Sequence, residues 1–371
     1  MEETSPGFQH SFQPWAANRL GLDYRAEAMA MGDPVVPIVD VHVHVNGRRA
    51  AEIYDEAAAL FGVRRSYTQT IKTTAHDVRD VLGDRIRWIA TPNYMADDKA
   101  HAFTEGFIED MRWWHGEFGA RMVKFWVAPR LRDFSGDLFD QIKLDGVWKR
   151  KAAELARELG MMIMTHVADP DTWFQTAYAD ASRYGTKRQQ YEPLERMLTE
   201  YSDVPWLAAH MAGSPEDLVF LDELLTKHDN LHIDTSATKW QVRELSKHEP
   251  STLRAFFEKW QGRVLFGTDI VTQEAHLEPT EDGAFAAGQA SNADEAFELY
   301  ASRFWAMRML IEADFDGESP IADPDLMKVD PERHNAMSAP RLRGMSLGGD
   351  ALKSVYAGAC EDLVERWYDE H

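Results

Sequence analysis

Two histidines, His42 and His44, lie in an apolar stretch at residues 36–45 and are the first candidates for chemistry. The stretch is rich in β-branched residues and predicts a buried strand. Side chains alternate faces along a strand, so we expect the two imidazoles to point the same way. Two neutral imidazoles side by side at a strand end supply half of a metal site. The remaining ligands must then come from other parts of the chain.

The elements that would position such a site follow a regular order. Short apolar strands alternate with amphipathic helices from residue 36 onward, in eight strand–helix units. Alternation of this kind predicts an α/β fold with a parallel sheet, and eight units predict a (β/α)₈ TIM-type barrel. We expect one domain, with an N-terminal extension over 1–35, barrel strands over 36–270 and C-terminal loops and helices over 271–371.

Polar residues occupy several of the predicted strand ends, where the active site of such a barrel lies. They are His42 and His44 on strand one, Lys124 on strand four, His166 on strand five, His210 on strand six and Asp269 on strand eight. Strict alternation predicts that each points inward, and on strand six it places Trp206, Ala208 and His210 on one face. Histidines and a carboxylate suit Zn²⁺, Mn²⁺ or Fe²⁺, and a bound metal lowers the pKa of a water ligand.

The motifs together resemble the amidohydrolase superfamily. They are Asp40-Val-His-Val-His, Thr165-His166, Ala209-His210 and Gly267-Thr268-Asp269. The similarity is closest to the amidohydrolase-related branch, which includes the aminocarboxymuconate-semialdehyde decarboxylase type, and it covers roughly residues 36–360. The resemblance implies that one divalent metal ion is bound, with zinc favoured over manganese and iron. Its implied ligands are His42, His44, His166 and Asp269. It also implies that His210 acts as acid or base, and that Asp269 shuttles a proton.

Lys124 has two interpretations within this resemblance. In binuclear members, a carboxylated lysine at the end of strand four bridges two metals. In the related branch, a basic residue here contacts an anionic group of the substrate. We favour the second interpretation, with a single metal. Because Trp126 and Arg130 follow closely in the sequence, we expect Lys124, Trp126 and Arg130 to bind substrate.

The bulk composition restricts the partners. The net charge of -22 disfavours nucleic acid and anionic membranes. The single cysteine, Cys360, excludes an intramolecular disulfide and favours a reducing, cytoplasmic compartment. The chain shows neither the start of a secretion signal nor a membrane-spanning apolar run.

We expect a small-molecule substrate, which is anionic if basic residues line the pocket. Whether the chain forms a homo-oligomer is left open. Histidines in helices and loops, among them His276, are interpreted as surface residues.

Three functions remain open. The first is hydrolysis of an amide, ester or lactone bond by metal-activated water. The second is non-oxidative decarboxylation of an aromatic or unsaturated carboxylic acid. The third is a barrel that binds metal or metabolite without turnover. The complete His-x-His motif favours hydrolysis, and the presence of both His210 and Asp269 argues against a binding protein.

Overall fold

The computed structural model describes residues 14–279 and 290–371. Nine short parallel strands form one sheet, and helices alternate with them along the chain. The strands are Ile38–His44 (β1), Val63–Thr68 (β2), Ile86–Ala90 (β3), Met122–Trp126 (β4), Met162–His166 (β5), Trp206–Ala208 (β6), Leu231–Asp234 (β7), Val264–Leu265 (β8) and Ile270–Val271 (β9). Most of their residues are buried, as a parallel sheet covered by helices requires.

The first and last strands close the sheet into a barrel. β9 pairs with β1 in parallel. The Val41 amide donates to the Phe266 carbonyl at 3.0 Å, and the Asp269 amide donates to the His42 carbonyl at 2.8 Å. β8 and β9 are therefore two ends of one eighth barrel strand, which is interrupted where Asp269 adopts a φ of 60°. The predicted (β/α)₈ barrel is confirmed.

Helices surround the barrel and connect its strands. The longer ones are Arg48–Leu60, Ala75–Leu82, Glu105–Phe118, Val147–Glu158, Lys187–Glu200, Leu218–Lys227, Thr238–Leu245, Pro250–Lys259 and Ala293–Ile311. No helix within the described ranges is both long and apolar enough to cross a membrane.

Further elements lie on either side of the barrel strands in the chain. The N-terminal region contributes the helix Tyr24–Met31, and the C-terminal region contributes the short helix Asp325–Val329 and a helical segment that starts at Gly349. Asp316–Glu318 (β10) and Arg341–Arg343 (β11) form an antiparallel pair. Parts of the predicted N-terminal extension and C-terminal region, residues 1–13 and 280–289, lie outside the described residues.

The amino-terminal end of the barrel is filled and covered. The interior cluster consists of Val39, Val41, Tyr67, Ile89, Met122, Met162, Met164, Leu207 and Leu265. Cys360 and Val364 of the C-terminal helical segment pack into it. Two of the hydrogen bonds that fix the same segment to the barrel come from its last turn. The Trp367 indole donates to the Gly160 carbonyl at 2.8 Å, and the Tyr368 hydroxyl donates to the Trp88 carbonyl at 2.6 Å.

β1 contains an irregularity that matters for the site. Val39 and Val41 pack in the barrel interior, whereas Val43 packs with the outer helices. The pairing register with β2 shifts between Asp40 and Val43. Such a β-bulge redirects side chains and is common next to active sites. Here it lets His42 face the barrel axis directly after Val41.

The alternation predicted for strand six is wrong. Leu207 packs in the barrel interior, whereas Trp206 and Ala208 pack with the outer helices. Continued alternation would therefore turn His210 outward. Instead the strand ends at Ala208, and residues 210–212 take left-handed φ values of 59°, 50° and 54°. This backbone turn, which is unusual for residues with a Cβ, brings His210 back over the barrel.

Lys149 is a buried cation between the barrel and its helices. It lies on the helix Val147–Glu158 and is only 2% exposed. Its Nζ is 4.4 Å from the ring centre of Phe107 and 5.2 Å from that of Phe125. No carboxylate among the described residues pairs with it. Burial lowers the pKa of Lys149 to about 7.

Replacing Lys149 with Met is expected to raise the free energy of unfolding at pH 7. The unfolded chain binds more protons than the folded chain between the folded pKa, about 7, and the ordinary value of 10.5. The wild type therefore becomes more stable as pH rises through this window, and the advantage of the variant shrinks. Urea unfolding at several pH values measures this difference. The control is Lys151→Met on the exposed side of the same helix. If the stability gain of Lys149→Met is the same at every pH, the hypothesis that Lys149 is a buried ammonium group is contradicted.

Candidate metal centre

Three of the predicted strand-end residues form a compact group at the carboxyl end of the barrel. His42, His210 and Asp269 each offer one ligand atom, and these atoms lie within 4.8 Å of one another. The rings of His42 and His210 are stacked, with their centroids 5.0 Å apart. Both histidines are buried, while the Asp269 side chain is 27% exposed. The group is therefore accessible from the side of Asp269.

Asp234, at the end of β7, holds this group together. Its Oδ2 lies 3.0 Å from His42 Nδ1. Its Oδ1 accepts from the backbone amides of His210 at 2.9 Å and Ser236 at 3.0 Å. Burial by itself would raise the pKa of the Asp234 carboxyl, but His42, His210 and the Ser236 hydroxyl, which donates to Oδ1, hold it well below its usual range. The carboxylate thus occupies His42 Nδ1 and leaves Nε2 for the site.

The Ser236 hydroxyl lies between the two buried histidines. Its Oγ is 2.7 Å from His210 Nδ1 and 2.9 Å from His42 Nδ1. Burial lowers the pKa of both imidazoles, and Lys124 lowers the pKa of His42 further. Both rings are therefore neutral at physiological pH, which is the form that binds metal or accepts a proton.

Asp269 connects the group to His44. Its Oδ1 is 3.1 Å from His44 Nε2 and 3.5 Å from His42 Nε2. Burial would raise the pKa of the Asp269 carboxyl, but the hydrogen bond to His44 and the nearby His210 and His42 keep it well below its usual range. Asp269 is consequently an anion that faces three imidazoles.

His166 lies beside the compact group, not within it. Its ring centroid is 4.6 Å from that of His210. Its Nε2 is 2.7 Å from Asp169 Oδ1, and the other oxygen of Asp169 accepts from the Tyr178 hydroxyl at 2.6 Å. The carboxylate therefore fixes one ring nitrogen of His166 and leaves Nδ1 for another partner.

The three predicted substrate-binding residues differ in their distance from the group. Lys124 Nζ lies 3.2 Å from His42 Nε2, and burial lowers the pKa of Lys124 to about 8 although Asp269 and Asp234 act in the opposite direction. The Trp126 ring is 6.4 Å from the His166 ring. Arg130 is exposed and lies over the Phe134 ring at 5.5 Å.

Further aromatic residues form a wall beside the histidines. The Trp240 ring centroid is 5.5 Å from that of His210 and 6.2 Å from that of His166. Trp173 packs against Trp240 at 5.7 Å. Both indole N–H groups donate to Asp325 Oδ2, at 3.0 Å from Trp173 and 3.3 Å from Trp240. The C-terminal region thus helps to hold this wall.

Four of the site residues that sequence reasoning missed lie next to the histidines. Asp234 could have been found, because it is a carboxylate at the end of a buried strand, like the other candidates. Asp169 follows His166 by three residues, which is a weaker signal. Ser236 and Trp240 carry no signal in the sequence, because their positions depend on the path of the loop after β7.

The donor set fits a divalent cation. Imidazole nitrogens and one carboxylate suit zinc and other first-row metals. Protein ligands of this kind usually bond through their second ring nitrogen to a carboxylate or another acceptor, which fixes the ring. Among the described residues, Asp234 does this for His42 and Asp169 for His166.

The chain belongs to the amidohydrolase family. The family model described as Amidohydrolase matches residues 39–298, a range that contains all the site residues named above except Asp325. None of the curated proteins matches the chain.

Solved structures with similarity to the chain include three proteins of low identity. A D-hydantoinase from Bacillus sp. AR9 is 11% identical, with 84% of each chain covered and a TM-score of 0.41. An amidohydrolase from Burkholderia multivorans with bound zinc is 13% identical over 90% of this chain and 99% of that chain, with a TM-score of 0.39. A protein from Agrobacterium tumefaciens, solved in its apo form, is 11% identical over 72% of this chain and 94% of that chain, with a TM-score of 0.36.

Replacing Asp234 with Asn is expected to weaken zinc binding by about 10–100-fold, because His42 loses the carboxylate that fixes its ring. A titration against a competing chromogenic chelator measures this affinity. Asp40→Asn is the matched control. Asp40 is an equally buried carboxylate, but it accepts from Thr268 Oγ1 at 2.6 Å and from backbone amides, not from an imidazole. Equal losses in both variants would show that the bond from Asp234 to the His42 ring is not the specific cause.

Proposed function

We propose that the protein is a metal-dependent hydrolase of the amidohydrolase type that cleaves an amide, ester or lactone bond of a small molecule. The observation that carries the proposal is the group formed by His42, His210 and Asp269 at the open end of the barrel. Membership of the amidohydrolase family supports it. The proposal includes the aminocarboxymuconate-semialdehyde decarboxylase-like branch, on the motifs found in the sequence, and a cytoplasmic location.

The proposed ligands of one divalent cation are His42, His44, His166 and Asp269, with zinc favoured. Two of the imidazoles, His42 and His166, are fixed by a carboxylate on their second nitrogen. His44 and Asp269 lie in direct contact through His44 Nε2. A bound divalent cation supplies a Lewis acid that polarises a carbonyl oxygen and lowers the pKa of a water molecule.

His210 is the proposed acid–base residue. It differs from His42 and His166 because its Nδ1 faces a hydroxyl, that of Ser236, instead of a carboxylate. Burial keeps its imidazole neutral, so it can accept a proton from an attacking water and return it to the leaving group. The anionic Asp269 beside it is the second group that moves a proton.

The proposed substrate has an anionic or polar group near Lys124. Lys124 contacts His42, and the rings of Trp126 and Trp240 are each near that of His166. Arg130 would contact only a group that extends to the rim. The less favoured alternative is a carboxylated Lys124 that bridges two metals. Metal analysis that finds one bound metal ion in both the wild type and Lys124→Ala would exclude it.

One observation favours the second candidate function, decarboxylation of an aromatic or unsaturated acid. The rings of Trp126 and Trp240 lie 6.4 and 6.2 Å from that of His166, and aromatic surfaces of this kind suit a flat, conjugated substrate. In that reaction Lys124 would hold a substrate oxygen anion, and a protonated residue of the site would deliver a proton to the carbon that loses CO₂.

The roles of His210 and His166 can be separated by substitution. His210→Asn is expected to reduce kcat by about 10²–10⁴-fold, since a general acid–base is lost, and to leave zinc stoichiometry at one. His166→Asn is the matched comparison and is expected to lose zinc. Metal analysis and steady-state kinetics of both variants provide the test. If His210→Asn loses zinc and His166→Asn keeps it, His210 is the ligand and the two roles are exchanged.

The reaction class is tested with the zinc-loaded protein on a panel of lactones, amides and aromatic carboxylates. We expect ring opening or amide cleavage, followed by mass spectrometry as the addition of one water. Release of CO₂ from an aromatic acid, without water addition, would replace the hydrolase by the decarboxylase. The absence of turnover on the whole panel would favour the binding protein.

A further inference from the structure

The Ser236 side chain is fixed at the point where two histidines and a carboxylate of the site meet. Its backbone amide donates to Asp234 Oδ1 at 3.0 Å, and its carbonyl accepts from the side-chain amide of Gln241 at 2.9 Å. A Cβ atom added to Gly267 would lie 3.1 Å from the Ser236 Cβ, so the backbone of Gly267 packs closely against it. Ser236 is fully buried. The surroundings therefore determine where its hydroxyl lies.

The proton of the Ser236 hydroxyl is directed at Asp234. Asp234 Oδ1 already accepts from the backbone amides of His210 at 2.9 Å and Ser236 at 3.0 Å, and a backbone N–H can only donate. Oδ1 is therefore an acceptor, and the hydroxyl that contacts it must donate. A hydroxyl has one proton and two acceptor lone pairs. Because the proton is engaged by Asp234, Ser236 Oγ can only accept from its other neighbours.

This direction assigns the proton of the His210 ring. Ser236 Oγ lies 2.7 Å from His210 Nδ1, which is a hydrogen-bond distance. Since Oγ presents a lone pair, Nδ1 must carry the proton, and a neutral ring then has its lone pair on Nε2. The same count holds for His42, whose Nδ1 lies 2.9 Å from Ser236 Oγ and 3.0 Å from Asp234 Oδ2. Both rings therefore keep Nε2 free of a proton.

Another buried histidine uses a hydroxyl partner differently. His276 was expected at the surface, but it is only 4% exposed. Its Nδ1 lies 2.9 Å from the Tyr300 hydroxyl, and its Nε2 lies 3.1 Å from the side-chain amide of Gln273. Both nitrogens of His276 are thus engaged, which is a structural arrangement. Within residues 14–279 and 290–371, the hydrogen bond of the His210 ring is at Nδ1 alone, so Nε2 stays available.

We propose that Ser236 is a positioning residue that holds His210 in the Nδ1–H tautomer and leaves Nε2 as the nitrogen that takes part in the reaction. The hydroxyl connects His210 to the Asp234 carboxylate without a direct contact between that carboxylate and the ring. Under the proposed function, a proton passes from the attacking water to His210 Nε2 and then from Nε2 to the leaving group, while Nδ1–H stays on Ser236. The use of Nε2 in turnover rests on the proposed function, whereas the tautomer does not.

The tautomer is measured by ¹⁵N NMR of the zinc-loaded full chain with labelled histidine, because protonated and unprotonated ring nitrogens differ in chemical shift. The His210 signals are identified by their absence in His210→Asn. The wild type is expected to show a protonated Nδ1 and an unprotonated Nε2. Ser236→Ala removes the acceptor, so a His210 ring with its proton on Nε2 is expected to appear. Ser236→Thr keeps a hydroxyl and is expected to retain the tautomer of the wild type.

Thr235→Val is the matched control. Thr235 is equally buried on the same segment, and its hydroxyl accepts from the Gly267 amide at 3.1 Å and donates to the Gly267 carbonyl at 3.2 Å. This variant also loses a buried hydroxyl, but it is expected to leave the His210 tautomer unchanged. Thermal unfolding of each variant checks that it folds. If the added methyl group prevents Ser236→Thr from folding against Gly267, the wild type and Ser236→Ala still decide the tautomer.

Steady-state kinetics give a second readout once a substrate of the panel is turned over. Ser236→Ala is expected to lower kcat about 10–100-fold with little change in KM, because partners that orient a reacting histidine usually have effects of this size. Ser236→Thr is expected to restore most of the activity. A Ser236→Ala variant with an altered tautomer and the kcat of the wild type would refute the use of Nε2 in turnover.

Three NMR results would overturn the positioning role. They are a wild-type His210 that carries its proton on Nε2, a Ser236→Ala variant that keeps the tautomer of the wild type, and a Thr235→Val variant that loses it to the same extent as Ser236→Ala. Failure of the proposed function is a separate result. If the tautomer depends on Ser236 but no substrate of the panel is turned over, the positioning role stands and the hydrolase does not.

Discussion

The Asp234 carboxylate is the interaction on which the candidate site depends. One oxygen fixes the His42 ring, and the other accepts from the backbone amides of His210 and Ser236. Three separate segments of the barrel, β1, the turn after β6 and the segment after β7, therefore meet at one buried anion. A carboxylate at this depth is stable only because cationic or donor groups surround it. The same contacts that keep Asp234 charged thus determine where the imidazoles lie.

Much of the fold, and part of the site, could be predicted from the sequence. Eight alternating units are enough to predict the barrel, because parallel strands need helices on their outer face. The strand ends supplied His42, His210 and Asp269, which the structure places together. The backbone conformation that brings His210 into the candidate site was not predictable from the sequence. Alternation along β6 gave the wrong face, and a left-handed turn at residues 210–212 corrects it. The bulge in β1 and the position of Trp240 also depend on tertiary packing, for which local sequence patterns carry no signal.

Positive charge is distributed unevenly in this acidic protein. Many of the surface arginines and lysines pair with acids, whereas Lys124, Lys149, Lys239 and Arg303 are partly or fully buried without such a partner among the described residues. Burial opposes the charged form of each, but their surroundings differ. Lys149 lies between the aromatic rings of Phe107 and Phe125, which is a structural setting. Lys124 contacts His42, and Lys239 precedes the aromatic wall. Lys124 is therefore in contact with the candidate site, whereas Lys149 is enclosed by aromatic rings.

The covered amino-terminal end of the barrel has a kinetic consequence. Met162, Met164 and their neighbours fill the interior below the histidines, and the C-terminal helical segment packs beneath them. Among the described residues, these packed side chains fill the centre of the barrel and leave no passage through it. A molecule that binds at the histidines must therefore enter and leave through the carboxyl end of the barrel. The aromatic residues narrow this opening. Departure of one molecule and arrival of the next are then sequential events, and a product that resembles its substrate competes with it at the entrance.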